Sequence, residues 1–182
     1  MIVIGIDPGI ANTGFGVVRT SGERMVALDG GVIETDEGLR IEERLARLHE
    51  SLAELIRWHE PKAMALEDLF FGKNASSALS VGEARGVALL AASANAVPCF
   101  DYTPQAVKKA VSGSGSADKA QVQRMVATLL GLPEPPTPDH AADAFAVAIC
   151  HAGSAAARQA PHFGRARPGA APTIAARHRL AG

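Results

Sequence analysis

Cysteine is almost missing: Cys99 and Cys150 are the two in 182 residues, far apart and in no CxxC pair. That spacing excludes a thiolate zinc site and a disulfide framework, and leaves each as a small buried residue. Long apolar runs are missing too; none reaches the roughly 18 residues that span a bilayer. The start, Met1-Ile-Val-Ile-Gly-Ile-Asp7, lacks the basic residues of a signal peptide and meets an acid too soon. These absences give the expectation of a cytoplasmic protein with no membrane partner. Disorder of the whole chain is excluded by an apolar content of 47%. The length suits one domain with a tail to spare.

Excess charge is absent from the total, which is −1, but not from the segments. Residues 1–68 carry 7 Lys and Arg against 13 Asp and Glu, and residues 69–130 carry 6 against 3. Residues 131–151 have no Lys or Arg and 3 acids, whereas residues 152–182 have 5 arginines and no acid. A basic middle and a basic tail can present a phosphate-binding face on a chain that is nearly neutral overall.

Ile2–Asp7 reads as a buried strand of β-branched residues, followed by an Asp7-Pro8-Gly9 turn. Thr13–Thr20 and Met25–Thr35 read as two more strands joined at Gly22, an antiparallel meander. Ile41, Leu45, Leu48, Leu52 and Leu55 make one helical face that ends before Pro61. Lys62–Leu66 is a short buried strand ending at Glu67. Asn74–Ala96 is an alanine-rich helix, and Pro98–Tyr102 a fifth strand. Thr103-Pro104 has the cap form of a helix start. Ser112–Ser116 is a flexible break, after which Val122, Met125, Val126, Leu129 and Leu130 form another apolar face. Thr137-Pro138 starts a last helix through His151. The expected fold is α/β, a five-stranded mixed sheet with helices on both faces. It occupies residues 1–152, and 153–182 form a basic Ala/Arg/Pro/Gly-rich disordered tail.

Asp7 and Glu67 each end a buried strand. A carboxylate buried there costs several kcal/mol unless paired or metal-bound; a turn-forming Asp and an exposed Glu are the plainer readings. His140 and Asp143 are three residues apart, on one face of an otherwise apolar helix. Asp139 either complements the helix N-terminus or faces the same site. Three carboxylates and an imidazole converging in such a fold suit hard cations, Mg²⁺ or Mn²⁺. His49, His59, His151, His162 and His178 read as surface groups.

The ordered segments Ile4-Gly-Ile-Asp7-Pro-Gly-Ile-Ala-Asn-Thr-Gly14, Leu66-Glu67-Asp-Leu-Phe70-Phe-Gly-Lys-Asn74, Ala84-Arg85-Gly86, Val107-Lys108, Gly113-Ser-Gly-Ser-Ala-Asp-Lys119 and His140-Ala-Ala-Asp143 closely resemble the RuvC family of Holliday junction resolvases. The resemblance implies an RNase H-like fold and a homodimer acting on four-way junction DNA. It implies paired symmetric nicks with ligatable 5′-phosphates, in recombination and repair, alongside the RuvA–RuvB branch-migration machine. It implies Asp7, Glu67, His140 and Asp143 as the catalytic set, holding two Mg²⁺ or Mn²⁺ ions. Many family members have Asp where His140 stands; the neutral nitrogen weakens the hold on Mg²⁺ and shifts preference toward Mn²⁺. His140 acting as general base is the alternative. Phe70 is expected to stack on an unpaired base, with Phe71 in the core. Lys108 and Lys119 match backbone-contacting positions, and Lys73 and Arg85 join them as DNA-binding candidates. The helix carrying Ala75, Ala78, Ala84, Ala88, Ala91 and Ala92 is either core or dimer seam, and is expected to contribute to the dimer.

Two other classes compete with this reading. Asp7-Pro-Gly9 with Thr13-Gly14 resembles the first phosphate loop of actin-like ATP-binding proteins, but those need two lobes and a second glycine-rich motif. A junction-binding scaffold that does not cut would leave the acids idle. Cleavage of an RNA–DNA hybrid or flap is permitted by the fold alone.

Overall fold

The β-branched run at the start of the chain forms the central strand, because both of its faces are covered. The protein is represented by a computed structural model, which describes residues 1–68 and 75–154. Its elements are β1 (Ile2–Asp7), β2 (Asn12–Ser21), β3 (Arg24–Glu34), α1 (Ile41–His59), β4 (Ala63–Glu67), α2 (Ala75–Ala94), β5 (Cys99–Tyr102), α3 (Pro104–Ser112), α4 (Lys119–Leu130) and α5 (Asp139–Gly153). The sheet order is β3-β2-β1-β4-β5. The first three strands are the antiparallel meander expected from the sequence, and β4 and β5 add in parallel to β1.

Side chains alternate across the sheet. Ile4, Ile6, Val17, Met64 and Leu66 pack with α1 and α2, and Val3, Val18 and Ala65 pack with α3, α4 and α5. The same alternation turns Asp7 toward α5 with Val3 and Gly5, and Glu67 with Ala65. Because β1 and β4 run parallel with Ile6 opposite Leu66, the two acids emerge side by side at one end of the sheet.

Helix α5 lies unusually close to the sheet. All its residues from Ala144 to His151 are buried, and each large aliphatic side chain so buried stabilises by about 1.5–3 kcal/mol. Glycines below make this approach possible. A Cβ on Gly5 would run into the Ala144 carbonyl oxygen, and one on Gly14 into that of His140. The His140 end of α5 therefore rests directly on the strand partner of Asp7, since Gly14 is paired with Asp7.

The Thr103 hydroxyl caps α3, accepting from Ala106 N–H at 3.2 Å, with Pro104 at the first helical position. Asp118 caps α4 by accepting from Gln121 N–H at 2.7 Å. The serine-glycine segment between them is tied down rather than loose. Ser112 Oγ donates to the Lys108 carbonyl at 2.7 Å, and Ser114 and Ser116 hydroxyls meet at 3.0 Å.

Ala84, Ala88, Ala91 and Ala92 take the core alternative: they are buried within the subunit against α1 and the sheet, where their small size serves close packing. Two expectations need correction. His151 is completely buried. His59 pairs with Asp29, Nε2 to Oδ2 2.9 Å, with a side chain only 11% exposed. Both histidines look like surface groups in the sequence because their partners are remote along the chain. Cys150 is buried and Cys99 half-buried. The basic tail, from residue 155 onward, lies outside the described residues. Among the described residues no helix is long and apolar enough to cross a membrane.

Candidate active site

Asp7, Glu67, His140 and Asp143 come from three elements, β1, β4 and α5, that meet at one end of the sheet. Asp7 is held by its strand and by the turn after it, where the Thr13 hydroxyl donates to the Gly9 carbonyl at 2.5 Å. Glu67 is held through its backbone: Arg85 Nη1 donates to its carbonyl at 3.2 Å, while Nη2 donates to Asp101 Oδ1 at 2.5 Å. Arg85 thus ties α2 to the ends of β4 and β5, and its side chain is only 13% exposed.

Two contacts tie Asp7, His140 and Asp143 to partners. His140 Nδ1 lies 2.8 Å from Asp7 Oδ2. With the proton on Nδ1 and donated to Asp7, Nε2 keeps its lone pair, and the carboxylate fixes the ring orientation. On the other side Lys119 Nζ lies 3.2 Å from Asp143 Oδ2 and 3.1 Å from Asp139 Oδ2. Gln123 Nε2 donates to the other oxygen of Asp139 at 2.9 Å. Among the described residues no three His, Cys, Asp or Glu side chains are close enough together to enclose an ion.

Electrostatics nevertheless favour a cation here. Burial raises the Asp7 pKa most; the His140 hydrogen bond works against this, and the charge of Asp143 adds to it. Glu67 is raised by burial, then by Asp7 and Asp143, with Lys108 opposing. Three mutually repelling carboxylates, two of them resisting ionisation, are an under-neutralised site. Lys119 supplies part of the missing charge: burial lowers its pKa, but the hydrogen bonds and charges of Asp139 and Asp143 outweigh this and raise it. Asp139 is lowered, first by its hydrogen bond to Lys119. Oxygen donors with one imidazole fit a divalent ion such as Mg²⁺ or Mn²⁺.

Beside the carboxylates is a cleft of about 220 Å³, lined by the polar side chains of Glu67, Lys108, Lys119 and Asp143 and by apolar ones that include Val107 and Val147. Of the DNA-contact candidates, Lys108 and Lys119 lie at this cleft, and Arg85 lies behind Glu67. Phe70, Phe71 and Lys73 lie outside the described residues. Sequence reasoning passed over Gln123 and Asp101. Gln123 stands one turn after Lys119 on α4, and Asp101 is the lone acid of an apolar strand; both signals are faint without the fold.

The model of the family described as crossover junction endodeoxyribonuclease RuvC matches residues 3–151. The crossover junction endodeoxyribonuclease RuvC of Pelotomaculum thermopropionicum is 51% identical over 84% of this chain and 93% of its own length. The structure of Thermus thermophilus RuvC in complex with a Holliday junction substrate superposes with a TM-score of 0.80 at 41% identity, covering 84% of this chain and 93% of that one. The yeast mitochondrial Holliday junction resolvase shares the fold, with a TM-score of 0.60 at 15% identity over 81% of this chain and 77% of its own. Sequence and fold agree, and the chain belongs to the RuvC family of crossover junction endodeoxyribonucleases.

Proposed function

We propose that this protein resolves four-way DNA junctions by metal-assisted phosphodiester hydrolysis, with Asp7, Glu67, His140 and Asp143 as the metal-binding and catalytic set. The observation that carries this is the meeting of Asp7 and Glu67 on neighbouring parallel strand ends beneath the His140 end of α5. Two ions per site, Mg²⁺ or Mn²⁺, fit the under-neutralised carboxylates, and His140 inclines the site toward Mn²⁺. Bound divalent ions polarise the phosphate and acidify water.

The protein's own groups do the rest. Asp7 orients His140, whose Nε2 lone pair either ligates or accepts the proton of the attacking water. Water adds to phosphorus, the P–O3′ bond breaks, O3′ takes up a proton and leaves as a 3′-hydroxyl, and the 5′-phosphate remains on the other fragment. Lys108, beside Glu67, and Lys119 bring positive charge to the DNA backbone. Phe70 stacks on an unpaired base, and Lys73 adds backbone contact. The nuclease domain is residues 1–152, and the arginines of 153–182 add salt-sensitive affinity.

A homodimer cuts the two symmetric strands of the junction. Leu79 and Leu90 of α2 are 65% and 60% exposed, and Gly82 and Gly86 between them have open space above them. This outward strip supports α2 as the dimer contact through a face other than its buried alanines. The protein works in the cytoplasm, in recombination and repair, with RuvA–RuvB. The test offers a labelled four-way junction, a linear duplex and an RNA–DNA hybrid to the protein and to Asp7→Asn, in Mg²⁺ and in Mn²⁺. Paired nicks in the junction alone, lost in the variant, are expected. Junction binding without cutting in either metal overturns the enzymatic reading, and cutting of the hybrid alone overturns the substrate.

A further inference from the structure

Lys119 opens α4, where a cation works against the helix dipole. Something must hold it there, and its ammonium touches two carboxylates at once, Asp139 at 3.1 Å and Asp143 at 3.2 Å. The two acids are not equivalent. Asp143 belongs to the candidate site and raises the pKa of both Asp7 and Glu67 by its charge. Asp139 is more exposed, 64% against 36%, and its second oxygen is engaged by Gln123 from the same helix as Lys119. The Gln123 amide therefore aims Asp139 at Lys119.

We propose that Asp139, oriented by Gln123, is a positioning residue that keeps hold of the Lys119 ammonium so that Asp143 can pass from Lys119 to a divalent cation. The proposal rests on the reading of Asp143 as a metal ligand. While no cation is bound, Lys119 neutralises Asp143. When Asp143 turns to a cation, Lys119 keeps one carboxylate and stays at the cleft, where a DNA phosphate can use its charge. Without Asp139, the incoming cation must displace Lys119 from its one remaining carboxylate partner. A lysine so released regains side-chain freedom and no longer stands at the cleft.

The test titrates the full-length protein with Mn²⁺ alone, without DNA, and reads free Mn²⁺ from its electron paramagnetic resonance signal at fixed salt. Asp139→Asn is expected to weaken Mn²⁺ binding about three- to fivefold, the scale of an exposed ion pair. Gln123→Leu, which changes no charge, weakens it about twofold through the lost orientation of Asp139. Lys119→Met tightens binding about threefold or more, and in that background Gln123→Leu has no effect. The proposal is overturned if Gln123→Leu leaves affinity unchanged, or if its effect persists in Lys119→Met. Asp7→Asn separates the two levels of the argument. If the wild-type protein takes up no Mn²⁺ that Asp7→Asn removes, the metal reading fails and this proposal with it. If Asp7-dependent uptake is intact but indifferent to Asp139 and Gln123, the positioning role alone fails.

Discussion

The two ends of α5 carry one histidine each and treat it in opposite ways. His140 at the N-terminal end has a side chain 47% exposed and is paired with Asp7. His151 at the C-terminal end is fully buried. Its Nδ1 meets the Tyr102 hydroxyl at 2.7 Å, and its ring lies 4.5 Å from that of Phe100. Burial lowers the His151 pKa by disfavouring the charged ring, although a helix C-terminus favours positive charge; desolvation is the stronger effect. Its Nε2 has no hydrogen-bond partner among the described residues. One end of the helix thus buries its polar group in packing, and the other leaves carboxylates short of countercharge.

The largest expected effect breaks the comparison at the open end. Asp7→Asn should slow junction cleavage by about a thousandfold or more, since it removes a charged member of the site. The same change should raise the melting temperature at pH 7 by about 2–4 °C, the shift that ~1 kcal/mol produces in a chain of this size. Activity and stability moving in opposite directions would mark Asp7 as a residue kept at a cost to the fold. Cleavage rates and thermal melts of the same preparation check both.

The mirror experiment is His151→Ala. Emptying that site should cost about 3 kcal/mol and lower the melting temperature by roughly 6–12 °C. Cleavage at a temperature where the variant is folded should stay within about twofold, since His151 lies at the helix end remote from the site. A large loss of rate with unchanged stability would erase the distinction between the two ends.

Arg85 sharpens the comparison, because it is a packed residue that reaches the open end. Arg85→Met should lower the cleavage rate about tenfold by loosening the backbone of Glu67. It should change junction affinity less than twofold and leave the salt dependence alone. A DNA-contacting arginine would instead weaken binding and reduce the salt slope by about one. Measured kcat and Kd across salt separate the two roles.

The smallest effect is a divergence with pH. Asp7 and Glu67 have native pKa values raised by burial from ordinary values of 3.8 and 4.5. Their contribution to stability is complete below those values and is lost as pH rises through the raised native ones. The melting advantage of Asp7→Asn should therefore shrink as the solution is acidified. His151 runs the other way: its contribution is present above 6.5 and lost as pH falls from there through its lowered native value. His151→Phe should flatten that acid loss, and melts from pH 8 to about 4 read both trends.

The sequence alone determined the fold class, the strand meander, the helix faces, and the positions of Asp7, Glu67, His140 and Asp143 at element ends. Strand alternation and helical spacing are local properties, and a polar residue ending an apolar run is visible without knowing what surrounds it. The caps at Thr103 and the turn at Gly22, with φ at 60°, were legible for the same reason. Only the tertiary structure decided which partners those residues take. It seated α5 on Gly5 and Gly14, buried His151 against Tyr102 and Phe100, and put His59 on Asp29. It turned the alanines of α2 inward and pointed Arg85 at Glu67 and Asp101. It also placed Lys119 between Asp139 and Asp143. Each of these depends on two segments far apart in the chain coming within hydrogen-bonding or van der Waals distance. No local pattern encodes that meeting, because packing between elements sets both the burial and the neighbours of each group.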